Sequence, residues 1–183
     1  MGIEFYQFEN EVWYRTDDGD NKLLLETSTE IIKKLIEIIR EYYPESYSAL
    51  ETEYSKSSLN ISYFQYLIVR RFCKCNFGRL DSTQFDIRED TILNFEKVDC
   101  PLRGECKFER VICCPKFNSK LSNAEKRVMK LVYHGFDNNK IAEQLYISPH
   151  TVKQHIKAAY TKLKIHGKSE FIRYANKNKM FNN

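Results

Sequence analysis

The chain is predicted to be an α+β N-terminal domain, Cys-rich at its end, followed by an all-α four-helix domain built around a helix-turn-helix. Three observations predict this. Residues 116–183 hold 14 Lys and Arg against 4 Asp and Glu, a net of +10, whereas the first 115 residues hold 15 bases and 21 acids, a net of −6. Such a split joins a portion suited to an anionic partner to a domain of another kind. Aromatic and β-branched runs fill the first 27 residues, helical periodicity governs two later stretches, and all six cysteines fall between 73 and 114. The expected boundaries are 1–115 for the first domain, 116–120 for a linker and 121–183 for the second.

In the first 27 residues, Ile3, Phe5, Tyr6 and Phe8, then Val12, Trp13 and Tyr14, read as strands. The cluster Asp17 to Asn21 is a turn, and Leu23 to Leu25 supply the returning strand. Calcium at this acidic turn is disfavoured, because EF-hand spacing and its terminal Glu are absent. A helix is expected from about Ser28 to Tyr43, with Thr27 and Glu30 as a capping box and Ile31, Ile32, Leu35, Ile36, Ile38 and Ile39 on a broad apolar face. Pro44 ends it or opens a second helix, around Glu45 to Tyr54. A third starts near Ser58 and carries Tyr63, Phe64, Tyr66, Leu67, Ile68 and Phe72, aromatics that pack a core more often than they line a ligand pocket. From Cys73 helical periodicity fades, and Phe85–Ile87 with Ile92–Phe95 suggest a short hairpin around Arg88, Glu89 and Asp90.

The second domain begins with Ser122 and Glu125, the pattern of a capping box, and a helix burying Ala124, Val128, Leu131 and Val132 before Gly135. Asp137 caps a second helix with Ile141, Ala142 and Leu145 inward. Tyr146-Ile147-Ser148 form the tight turn, and Ser148-Pro149 open a third helix with proline at the first position. On that helix Val152, Ile156, Ala159 and Leu163 share one stripe, while His150, Lys153, Gln154, Lys157 and Thr161 share the opposite one. One face is built for a core. The other offers cationic and amide groups of the kind a DNA major groove accepts. A fourth helix, Lys168 to Phe181, turns Phe171, Ile172 and Ala175 inward.

The strings LS-x-x-E, G-x-x-N-x-x-IA-x-x-L-x-IS-x-x-TVK-x-H and the following KL resemble the LuxR/FixJ-type (GerE-like) DNA-binding domain, from about Leu121 to Phe181. The resemblance implies a sequence-specific transcriptional regulator that binds double-stranded DNA. It implies that Lys153, Gln154 and Lys157 face the groove, that Asn138 and Thr151 approach phosphates, and that His155 borders the face or packs between helices. It also implies a homodimer through the last helix, with Tyr174 and Asn178 at or near the contact. Sigma-factor region 4 shares much of the pattern, so a sigma-like factor contacting RNA polymerase is the alternative, although no region 2 precedes it.

Among the cysteines, Cys75, Cys100, Cys106 and Cys113 are the best-spaced set for one metal, with Cys73 or Cys114 as substitutes. Zinc or an iron–sulfur cluster would staple a segment too poor in apolar residues to bury a core. The spacing C-x5-C-x6-C is similar to the cysteine loops of Rrf2-type iron–sulfur regulators. Reduced, merely packed thiols are the other reading. FCKCNFG, CPLRGEC and ICCPKFNSKLS further resemble a group of LuxR-type regulators with no known ligand. A metal-stapled protein-interaction module therefore stays open as a third function.

Other classes are excluded or disfavoured. No apolar run nears the roughly 20 residues that span a bilayer, and MGIEFYQFENEVWY has no basic leader, so a cytoplasmic protein without a membrane partner is expected. Myristoylation at Gly2 lacks its Ser or Thr. The N-terminal half does not alternate strands and helices as a receiver domain does, and an acyl-homoserine-lactone domain is equally unsupported. All four His lie in the second domain without a catalytic set or a Gly-rich phosphate loop, so no enzyme is expected.

Overall fold

The computed structural model describes residues 2–80, 85–87, 93–178 and 180–181, and the chain divides between Lys116 and Phe117 into two units. In the first unit, β1 (Ile3–Phe8) and β2 (Glu11–Thr16) pair antiparallel through a two-residue turn. Glu9 and Asn10 form that turn at φ 49° and 64°, the double left-handed geometry that matches strand twist. β3 (Asn21–Leu23) returns along β2 after the acidic turn, where Gly19 takes φ 84°. Ile87 bridges both Ile3 and Leu93, so the expected hairpin joins the sheet beside β1. Its tip at Arg88, Glu89 and Asp90 lies outside the described residues.

Helix α1 (Thr29–Tyr42) buries Ile32, Leu35, Ile36, Ile38 and Ile39. Its expected Thr27–Glu30 capping box is not formed. Ser28 is the N-cap, and its hydroxyl accepts the Leu25 N–H instead, at 3.2 Å. Helix α2 (Pro44–Glu53) places Pro44 where a missing N–H costs nothing. Helix α3 (Ile61–Asn76), capped by Asn60 Oδ1, packs on α1, α2 and the sheet. It runs through Cys73 and Cys75 rather than stopping at them. Val69, Phe72, Cys73 and Asn76 are all buried at i, i+3, i+4 and i+7, so the core stripe continues past the first cysteine.

Asn76 ties the irregular segment that follows to α3. Its Nδ2 donates to the carbonyls of Phe72 at 2.9 Å and Ile112 at 2.8 Å, and its Oδ1 accepts the Cys114 N–H at 3.2 Å. Its own carbonyl accepts the Glu96 N–H. The Ser46 hydroxyl donates to Val111 O one residue before the buried Ile112 side chain. Between 97 and 111 the chain forms only turns.

The second unit contains α4 (Asn123–Tyr133), α5 (Asn138–Leu145), α6 (Pro149–Leu163) and α7 (Lys168–Lys177). Residues 117–120, expected as linker, pack on this unit. Phe117 meets Tyr174 with ring centroids 6.1 Å apart, and Ser119 is buried. Val128, Met129, Val132, Ile141, Val152, Ala159 and Phe171 form the core, with α6 against α4 and α5. Each large apolar side chain sealed there stabilises by about 1.5–3 kcal/mol. Helix α7 stops short of the expected Phe181, because the Asn178 amide donates to Tyr174 O at 2.8 Å and turns the chain. Phe181 then folds back onto Tyr133 and Phe171.

Asn76→Ala strands buried carbonyl and amide groups in the first unit. It is expected to destabilise that unit by about 2–3 kcal/mol, read as faster amide exchange along α3 in denaturant, with exchange in α4–α7 unchanged. A loss under about 0.5 kcal/mol, the range of an ordinary surface change, would reject this role.

Candidate nucleic-acid interface

Local chemistry aims α6 from both ends. At its start, the Ser148 hydroxyl accepts the Thr151 N–H at 3.0 Å and lies 2.8 Å from the Thr151 hydroxyl. The preceding turn is set by Tyr146, left-handed at φ 54° and almost wholly exposed, while the Ile147 N–H returns to Ala142 O. At its end Lys164 is also left-handed, at φ 55°, and the Ile165 N–H returns to Tyr160 O. α6 is thereby a rigid rod with Val152, Ala159 and Leu163 buried and Ile156 half-buried.

Glu125 locks that rod onto α4. The capping box is complete: Ser122 Oγ accepts the Glu125 N–H at 3.3 Å, and Glu125 Oε2 accepts the Ser122 N–H at 2.7 Å. The same carboxylate accepts Lys162 Nζ at 2.9 and 2.7 Å, from the last turn of α6. Burial by itself would raise the Glu125 carboxyl, but the bonds from Lys162 and Ser122 outweigh it and hold the group below its ordinary value. Lys162 thus serves structure, although by composition it counts with the other cations of this basic unit.

One flank of α6 opens into a shallow groove of about 670 Å³ lined by Asn138, Lys153, Lys157, Thr161, Lys164 and His166 together with the apolar Ile156, Tyr160 and Ile165. Three of the five residues expected to meet DNA therefore converge: Asn138 from the first turn of α5, and Lys153 and Lys157 from α6. Lys153, Gln154 and Lys157 are exposed. Gln154 sits outside the groove, its Nε2 3.0 Å from His150 Nε2. Thr151 is half-buried in the cap, and His155 is half-buried too. Asp137 Oδ1 accepts the N–H groups of Lys140 and Asn139, which hold its carboxyl below the ordinary range, the Lys140 bond contributing most. The cap thus takes the Asn139 and Lys140 amides. Lys164 and His166 escaped the sequence reading, although Lys164 continues the stripe of Lys153 and Lys157 at i+11.

The cysteine set named from spacing also converges, within the first unit. Cys75, Cys100, Cys106 and Cys113 line one cavity of about 300 Å³. Burial pushes the Cys75 thiol up to about 11, and Cys113, Cys100 and Cys106 add to the rise. Neither substitute joins them: Cys73 is sealed in the core and Cys114 is exposed. Among the described residues no three His, Cys, Asp or Glu side chains are grouped closely enough to hold a metal ion. No helix among them is long and apolar enough to cross a membrane.

Residues 119–175 match the family described as bacterial regulatory proteins, luxR family, and they form a helix-turn-helix domain of that family. The chain is 30% identical over 89 residues to the probable csgAB operon transcriptional regulatory protein of Salmonella typhimurium, covering 42% of this chain and 41% of that one. It is 38% identical over 60 residues to the oxygen regulatory protein NreC of Staphylococcus aureus, covering 33% and 28%. It is 41% identical over 54 residues to the HTH-type transcriptional regulator MalT of Vibrio parahaemolyticus, covering 30% and 6%. The chain thus spans less than half the length of each of these relatives. No solved structure matches.

Glu125→Gln keeps an acceptor for Ser122 but removes the charge that holds Lys162. The expected loss is about 1–2 kcal/mol at neutral pH, the lower part of the range for a charged hydrogen bond, because solvent screens a pair whose Lys162 side chain is 43% exposed. A depressed carboxyl stabilises above its unfolded value, about 4.3, and loses that contribution as pH falls through the folded value. The gap between wild type and variant, measured by denaturant titration across pH, should therefore close below pH of about 4. A gap that persists at low pH would refute the assignment.

Proposed function

We propose that the chain is a sequence-specific, DNA-binding transcriptional regulator whose second unit inserts α6 into the major groove. The observation that carries this reading is the exposed face of α6, with Lys153 and Lys157 gathered with Asn138 and Lys164 around one groove on a core-anchored helix. Like charges at i and i+4 repel by about 0.2–0.5 kcal/mol. An anionic ligand reverses that term. Lys153, Gln154 and Lys157 read or flank bases, while Asn138 and the Thr151 hydroxyl approach phosphates. The relatives' names, all transcriptional or regulatory proteins, support the same role.

The regulator works on DNA as a homodimer through α7, which places two copies of α6 on half-sites about one helical turn apart. Tyr174 and Asn178, half-buried at the end of α7, border that contact. Binding, rather than catalysis, is the proposed activity.

After operator selection from a random pool, Gln154→Ala is expected to relax preference at one base position, by about 1–3 kcal/mol. Lys153→Ala with Lys157→Ala removes two cations from the DNA-facing side, and should weaken binding to every sequence and flatten the dependence of affinity on salt. Unchanged affinity and salt slope in the double variant would defeat the reading. For the dimer, sedimentation of the DNA complex should show two chains per two-half-site operator. One chain per operator at full affinity would exclude it.

A further inference from the structure

We propose that Cys75, Cys100, Cys106 and Cys113 together hold one thiophilic metal centre that fastens the irregular segment 97–113 to α3. The shared chemistry is four thiolate ligands to one centre, supplied by Zn²⁺ or by an iron–sulfur cluster. The four sulfurs come from two separate parts of the chain, a helix and a run of turns, yet line a single cavity. Two are placed by well-anchored structure. Cys75 rides on the last turn of α3, and Cys113 precedes Cys114, whose N–H is bonded to the buried Asn76. Cys100 and Cys106 are carried by turns, with the Arg103 N–H on Cys100 O and the Cys106 N–H on Leu102 O. No ready cage exists among the described residues, so metal entry draws those two turns inward.

The α3 side of the cavity is cationic, while Asp99, Arg103 and Glu109 line it from the turns. Arg71 and Lys74 line it from α3. Arg71 shares the cavity with Cys75 and Cys106 and has a buried Nε without a partner. Four thiolates around a divalent ion carry a net charge of −2, and cations and N–H donors in the outer shell stabilise such a centre. A thiol must lose its proton to ligate, so Zn²⁺ binding to four thiols releases four protons and leaves a tetrathiolate of charge −2. The segment itself explains why a staple is useful. It has no helix or strand, and Ile112 is its one fully buried large apolar side chain among the described residues. Metal binding energy there becomes folding energy.

The test uses the full chain, purified anaerobically without chelator, with metal content measured by mass spectrometry. Colourless protein with one zinc per chain, or brown protein with stoichiometric iron and sulfide, supports the centre and tells the two sources apart. Cys100→Ser and Cys106→Ser should lose that metal, and Cys114→Ser should keep it. Because loss of a ligand can unfold the first unit, the wild type is also loaded with Co²⁺. A tetrahedral spectrum with intense sulfur-to-cobalt charge transfer from four thiolates is expected, and displacement of the cobalt by Zn²⁺ should abolish it. Absence of stoichiometric metal, combined with no uptake of Zn²⁺, Co²⁺ or ferrous iron with sulfide, overturns the proposal. So does a cobalt spectrum of two or fewer thiolates, or equal metal loss in Cys114→Ser and Cys106→Ser. None of these readouts depends on DNA binding.

Discussion

A single carboxylate, that of Glu125, settles two groups at once: the open N–H of Ser122 at the start of α4 and the ammonium of Lys162 on α6. A helix N-terminus leaves donors without partners, and a nearly buried carboxylate requires partners to stay ionised. Each need answers the other. The apolar core holds α6 against α4 but is tolerant of sliding, since dispersion contacts have little direction. The bond from Lys162 has direction, and it registers the last turn of α6. With Ser148 bonding at the other end, the outward face of α6 is set by groups that never touch a ligand.

That outward face then needs no further ordering to present charge. Lys153, Lys157 and Lys164 stand along one stripe beside the apolar Ile156, Tyr160 and Ile165. A cationic groove with low-dielectric walls focuses its field and raises the rate at which a polyanion arrives. Specificity is a separate matter. It requires groups with directional donors and acceptors, of which Gln154 beside His150 is one, just outside the groove. In the proposed reading the division between affinity and readout is spatial, with lysines along the groove and the amide at its border.

The first unit depends in the same way on one buried amide. Asn76 closes α3 and uses its side chain to hold Ile112 O and the Cys114 N–H, so a segment without regular structure acquires a defined path. A buried amide of this kind must be fully satisfied to be stabilising, and it discriminates strongly against other loop registers. The consequence is chemical: the same anchoring brings Cys113 to the cavity that Cys75 lines from the last turn of α3.

Local physics made much of this legible in the residues alone. Caps, proline at helix starts, glycine at φ 91° in Gly135 and the apolar stripe of α6 each act within a few residues, so their signals are readable in order. Cys75, Cys100, Cys106 and Cys113, grouped by spacing alone, do line one cavity. What spacing could not settle was which cysteines turn away. Cys73 and Cys75 lie two positions apart on α3, roughly 200° around the helix, and only the packing of α3 on the sheet decides which faces the core. Phe117 reads as linker until Tyr174 covers it, and Lys162 reads as one more surface cation until Glu125 meets it across 37 residues. Sequence periodicity reports which face of an element is apolar. The partner that each polar group finds across the fold is a long-range choice, made by close packing and the cost of leaving buried charge unpaired, and it belongs to tertiary structure.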